Sequence, residues 1–266
     1  MSVLSSVTTH RELVGNLVAR DVKARYKQSV LGYAWAVFNP LATALIMALV
    51  GGLLLGQGKG PFPFVLHAYF GLLIWNIFAT GWNAATEGLV AHIGLLTKVY
   101  FPREVFPVAA VLSKLVDFGF GLVGLLPFLI LYRDHVSLGW TVLLVPVFVV
   151  ILLLFTTGLG MLTACANLFY RDVRYLVGIV LSLWMYLVPN LYTLEKVKEH
   201  AGIYQLYLLN PVAAIVEASR RATFPQTGSL VSLVPYLLSA LCVSVAVFAV
   251  GFVVFKRYEP RFAESV

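Results

Sequence analysis

The fold turns on one stretch, Trp140-Thr-Val-Leu-Leu-Val-Pro-Val-Phe-Val-Val-Ile-Leu-Leu-Leu-Phe-Thr-Thr-Gly-Leu-Gly-Met-Leu-Thr-Ala-Cys-Ala166, which contains no charged side chain. A helix needs about 20 predominantly apolar residues to cross about 30 Å of hydrocarbon. The run reads as a transmembrane helix that stops at Asn167. On its far side Tyr170-Arg-Asp-Val-Arg174 forms a tight polar turn, and a further apolar run follows at about 175–194. On its near side a short loop from Tyr132 to Gly139 separates it from an apolar run at about 108–131.

The same pattern fills the chain. Of 266 residues 60% are hydrophobic and only 12% charged, with a mean hydropathy of +0.89, well outside the charged fraction of soluble domains. Additional spans are expected at about 33–56, 67–87 and 231–255, which makes six and leaves no separate soluble domain. The class is an all-α membrane protein in a single transmembrane domain. Gly56 to Pro63 is a turn-rich loop, and 88–107, with His92, Lys98, Pro102, Arg103 and Glu104, should lie on the membrane surface.

Two segments do not span. In 10–29, Leu13, Val14, Leu17, Val18, Val22 and Tyr26 recur at helical spacing opposite Arg11, Arg20, Lys23, Arg25 and Lys27, the pattern of an amphipathic interface helix. In 195–230, two short apolar pieces broken by Asn210-Pro211 are followed by Arg220, Arg221 and Pro225. They read as short helices that dip into one leaflet or cap the helix ends, a gate region before the last span.

The formal charge of +7 does not indicate nucleic acid, because the basic residues flank apolar runs. With an inward N-terminus, 13 basic residues fall on inner segments, including Lys98, Lys114, Lys256, Arg257 and Arg261, against 6 outside. Both termini are therefore expected in the cytoplasm and 195–230 outside. The first 30 residues have no signal-peptide core, so the N-terminus is expected to be retained. Cys165 and Cys242 lie inside apolar runs without CxxC spacing and are expected to be buried packing residues. No internal repeat or inverted symmetry of hydropathy marks a two-halved secondary transporter.

Motifs for chemistry are missing. The chain has no GxxxxGK[ST], GxSxG or HExxH and its five His are scattered, so ATP chemistry, if involved, belongs to another chain and no metal site is expected. Lys114 and Asp117, three apart in a span, can neutralise each other as a structural pair or take part in a proton relay. Tyr33, Trp35, Phe38, Asn39, Trp184, Tyr186, Asn190 and Tyr192 sit near span ends. The aromatic ones are interfacial anchors, or they line a path on which sugars stack. The mixed charges of Arg20-Asp21, Arg25, Lys98 to Glu104 and Arg171, Asp172 and Arg174 are solvated loops or docking points for a cytoplasmic subunit.

Four strings carry a resemblance: Ala19-Arg-Asp-Val-Lys-Ala-Arg-Tyr-Lys-Gln-Ser-Val-Leu-Gly-Tyr-Ala-Trp35 with Asn39-Pro-Leu41, Lys98-Val-Tyr-Phe-Pro-Arg-Glu-Val-Phe-Pro107, Ala166-Asn-Leu-Phe-Tyr-Arg-Asp-Val-Arg-Tyr175, and Leu209-Asn-Pro-Val-Ala-Ala-Ile-Val-Glu-Ala-Ser-Arg220. In order and spacing they resemble the permease subunits of bacterial ABC exporters of surface polysaccharides, the O-antigen, teichoic acid and capsule transporters. The chain departs from that pattern at Pro189-Asn190.

The resemblance implies a homodimer of six-span subunits in the bacterial cytoplasmic (inner) membrane. Each subunit would dock on a nucleotide-binding ATPase subunit that binds ATP and Mg, and the assembly would export a lipid-linked glycan. The turns at 88–104 and 168–174 would be coupling elements and 195–230 outer gate helices. The rivals are an exporter of drugs or small lipids with the same architecture and a membrane enzyme acting on lipid-linked substrates.

Overall fold

The computed structural model describes residues 11–27, 29–53, 56, 63–92, 94, 102–134, 136–194, 197 and 201–263, and among them regular structure is helical throughout. The first helix among the described residues is α1 (Arg11–Tyr26), whose buried face is Val14, Leu17 and Val22. Gly32, at φ +51°, supplies the left-handed turn that reverses the chain into a 3-10 turn (Gly32–Ala34) and then α2 (Trp35–Leu53).

α3 (Phe64–Gly88) is the central helix. Most of its residues are buried, which explains a run apolar on every side. The third apolar run is three end-to-end helices, α4 (Val105–Leu112), α5 (Lys114–Val123) and α6 (Leu126–Leu131), interrupted at Ser113 and at Gly124 and Leu125. The stretch that opened the sequence reading becomes a 3-10 turn (Trp140–Leu144) running into α7 (Val145–Phe169).

α8 (Val173–Trp184) follows the polar turn and tightens into a 3-10 turn (Met185–Leu187). α9 (Ala201–Leu208) and α10 (Pro211–Thr223) precede α11 (Val234–Tyr258). α7 packs most extensively against α11 and α3. The α7–α11 crossing is tight because it is built on glycine: a Cβ on Gly158 would lie 2.7 Å from the Phe248 backbone.

Among the described residues five segments are long and apolar enough to cross a membrane: Gly32–Gly52, Phe64–Gly88, Val105–Leu131, Trp140–Phe169 and Val231–Phe262. The expected sixth, at 175–194, is shorter. Its helix is Val173–Leu187, roughly 22 Å at about 1.5 Å per residue, less than about 30 Å of hydrocarbon. It ends where Val188–Asn190 turns, because Pro189 cannot continue the hydrogen-bond ladder.

Of the two cysteines, Cys165 is buried as expected, whereas Cys242 is exposed on α11. It shares that outward surface with Leu238, Val245 and Val253, an apolar face suited to lipid.

The contacts sort the helix ends. α1 touches α4, and one end of the bundle also gathers the C-termini of α3, α7 and α11. Both ends of the described chain therefore lie on that side. α9 and α10, with the start of α3 and the turn after α8, occupy the opposite end.

Candidate functional site

A cavity of ≈ 380 Å³ lies at the α1 end, between α1, α2, α3 and α5. One side is charged, with Arg25, Lys114 and Asp117. Its other polar side chains are Asn39, Asn76 and Thr80, and the rest of the lining is apolar, including Pro40, Leu73, Ile77 and Phe118. Trp35, Asn39 and Thr80 are exposed, so the cavity opens where α2 faces α3. The fold brings together here the coupling candidate Arg25, the path candidates Trp35 and Asn39, and the intramembrane pair Lys114 and Asp117.

The charges pair differently from the sequence expectation. The Arg25 guanidinium is ion-paired with the Asp117 carboxylate, and a second arm donates to Ser113 O and Oγ at 3.2 and 2.8 Å. The Tyr26 hydroxyl donates to Asp117 at 2.7 Å. Among the described residues no ion pair joins Lys114 to Asp117. The last turn of α1 supplies a planar fork and a phenol that satisfy the carboxylate first. Burial, reinforced by Asp117, raises the Tyr26 pKa, so the phenol stays protonated and keeps donating. The Ser113 carbonyl that Arg25 takes up sits where α4 gives way to α5.

Tyr33 stacks between Tyr26 and Phe120, with ring centroids 4.5 and 4.7 Å away, and ties α1 to α5. Trp35 meets Phe38 edge-on at 5.5 Å, and both are exposed.

Other polar contacts at this end fasten helices to one another. Arg20 donates to His92, whose Nδ1 donates to Gly88 O at 2.7 Å, while Asp21 lies 3.7 Å from Arg20. Glu104, fully buried, accepts from Lys256 at 2.8 Å, and the Arg103 guanidinium donates to Glu259 O at 2.8 Å. These two fix the start of α4 to the end of α11, so Glu104 has no surface to offer another chain. Lys98 lies outside the described residues.

Arg171, Asp172 and Arg174 are different, because all three are exposed. Their turn is clamped from below: Asn167 Oδ1 accepts from Arg174 N at 3.3 Å while its Nδ2 donates to Thr86 O at 3.1 Å. The turn is thereby tied to both α8 and the end of α3.

The opposite end holds a buried polar cluster that the sequence reading missed. Glu217 on α10 accepts from Arg220 at 2.6 Å and from Arg221 at 2.8 Å, all three nearly inaccessible. Arg220 also donates to Pro189 O at 2.9 Å, and His67 Nε2 donates to the same carbonyl at 3.1 Å. Asn190 is buried beside them, and α3 comes close enough only because residue 71 is glycine: a Cβ there would collide with Asn190 and Arg220. The sequence signal was the i, i+3, i+4 spacing of Glu217, Arg220 and Arg221, which lets one carboxylate meet both cations.

The remaining path candidates do not join the cavity. Trp184 packs edge-on against Phe78, Trp82 and Phe155 in the core, and its indole donates to Asn210 at 3.1 Å. Tyr186 is exposed, and its carbonyl accepts from the Tyr192 hydroxyl at 2.8 Å. Among the described residues no cluster of three or more His, Cys, Asp or Glu could hold a metal ion.

Residues 12–224 match the family described as ABC-2 type transporter. The chain is 32% identical over 257 residues to the O-antigen export system permease protein RfbA of Myxococcus xanthus, covering 97% of this chain and 96% of that one. It is 29% identical to a protein of the same name in Klebsiella pneumoniae, over 95% and 94% of the two chains. It is 23% identical to the polysialic acid transport protein KpsM of Escherichia coli, over 83% and 84%.

Proposed function

This chain belongs to the ABC-2 type transporter family, and on that premise we propose that it is the membrane-spanning subunit of an ATP-driven exporter that carries a lipid-linked polysaccharide, of O-antigen or teichoic-acid type, across the cytoplasmic membrane. The observation that carries the proposal is likeness over nearly the whole chain to a permease named for O-antigen export, with a more distant likeness to a polysialic acid transporter. The names of these relatives point to polysaccharide rather than to drugs or small lipids.

In this account the permease is a homodimer, and each copy meets one cytoplasmic subunit that binds ATP and Mg and hydrolyses the nucleotide. The α1 end faces the cytoplasm. Arg11, Arg20, Lys23, Arg25 and Lys27 on the first helix, with Arg171, Arg174, Lys256 and Arg257, supply the basic excess expected on that side. The exposed Arg171-Asp172 turn is the contact for the ATPase, and its clamp through Asn167 to Thr86 carries the push into α8 and α3. Trp35 and Phe38 at the start of α2, with Tyr33 just before it, all exposed, line the path of the glycan.

Deleting the gene and staining surface glycan tests the function. Loss of the glycan, restored by the intact gene, is the expected result. Intact surface glycan with altered drug tolerance would assign the chain to the rival cargo.

A further inference from the structure

Among the described residues Lys114 is a cation with no ion pair of its own inside an apolar segment. It is buried to 9% exposure at the first residue of α5, it lines the cavity, and no hydrogen bond or ion pair reaches its ammonium among the described residues. The neighbouring acid, Asp117, is occupied by Arg25 and Tyr26, and Asp21, one turn before Arg25 on α1, lies 3.7 Å from Arg20. The charged side of the cavity thus carries one positive charge more than its acids balance. An ionisable group at membrane depth is costly, by about 2.5 to 3.5 kcal/mol on insertion scales, unless a partner is present. The missing partner is an anion.

The rest of the lining says which kind. The side chains of Asn39 and Asn76 make no hydrogen bond among the described residues and can donate beside Lys114. Beside them Pro40, Leu73, Ile77 and Phe118 make the rest of the lining an apolar wall. A compact anion with several acceptor oxygens and an apolar continuation fits both halves, and the mouth at Trp35 and Thr80 admits it from the side.

We propose that this cavity binds the phosphate ester of a lipid, with Lys114 as its charge partner, Asn39 and Asn76 as further donors, and the apolar wall against the first carbons of the chain. Two sources carry that chemistry, the lipid carrier of the exported glycan and the phospholipids of the bilayer. Only the first depends on the export function proposed above.

The test uses the full chain in discs of phosphatidylcholine and, as probe, a radiolabelled polyprenyl phosphate without sugar. Saturable binding is expected, weakened about tenfold or more by Lys114→Gln and kept by Lys114→Arg. Arg133→Gln, on an exposed loop, serves as control. Thr80→Glu, which sets a carboxylate at the exposed rim, should weaken binding comparably without altering α5. Competition by phosphatidylglycerol would name bilayer lipid as the source, whereas resistance to it would name the polyprenyl carrier. Absence of saturable binding, or equal binding by wild type, Lys114→Gln and Thr80→Glu, would overturn the proposal. Because the probe carries no glycan, failure here is separate from failure of the export function, which the deletion strain reads.

Discussion

Arg25, in the last turn of α1, is ion-paired with Asp117, in the first turn of α5, so the surface helix is fastened to a membrane-crossing segment by one charge pair and the phenol of Tyr26. Both side chains are about a quarter exposed, at 28% and 25%, which discounts the pair for screening. A double-mutant cycle with Arg25→Ala and Asp117→Asn should return a coupling of about 1 kcal/mol in thermal unfolding of the purified chain. Strictly additive effects would mean that the two do not hold each other.

Glu217 answers two buried guanidinium groups at once. Glu217→Gln leaves both cations without a counter-charge and should cost about 3 to 5 kcal/mol, seen as loss of folded protein on size exclusion. Reversing the exposed pair Arg133 and Asp134, each about 80% accessible, should leave the elution profile unchanged.

Trp35 and Trp184 look alike in the sequence and differ in the fold. Trp184→Ala removes an indole packed against three aromatic rings and should lower stability by about 3 to 5 kcal/mol. Trp35→Ala, at an exposed position, should leave the melting temperature nearly unchanged and reduce export, measured as surface glycan at equal protein level.

The exposed turn and the buried acid should separate in a pull-down. Reversing charge at Arg171 and Asp172 should lower co-purification with the ATPase subunit at unchanged permease stability. Glu104→Gln, which leaves Lys256 at the end of α11 paired with Glu259 alone, should instead lower stability, because Glu104 is inaccessible to a partner. Full co-purification after the reversal would remove the turn from the docking surface.

The long spans were legible because apolar periodicity is local. Trp140–Phe169 and Val231–Phe262 lie close to where hydropathy alone puts them. The amphipathic face of α1 was equally plain, since Val14, Leu17 and Val22 share one side of a helix. What the sequence hid are pairings between distant elements. Spacing on one helix offered Lys114 to Asp117, while the partner that the fold supplies, Arg25, stands on another helix. Composition placed Arg220 and Arg221 among outward basic residues, and only the packing of α10 against α3 and α7 reveals them as buried. The early end of α8 was missed because a single proline weighs little in a hydropathy window. Its carbonyl proves to be the acceptor for both Arg220 and His67.

The central claim, that the chain moves a lipid-linked glycan with energy from an ATPase partner, is tested most directly by purifying it in lipid with the product of the neighbouring ATPase gene and measuring ATP hydrolysis against added lipid-linked glycan from the same cell. The account predicts a stable complex whose hydrolysis rises with the glycan and does not respond to the same lipid fraction from a strain lacking the glycan. A stable complex with equal rates in both fractions would contradict it.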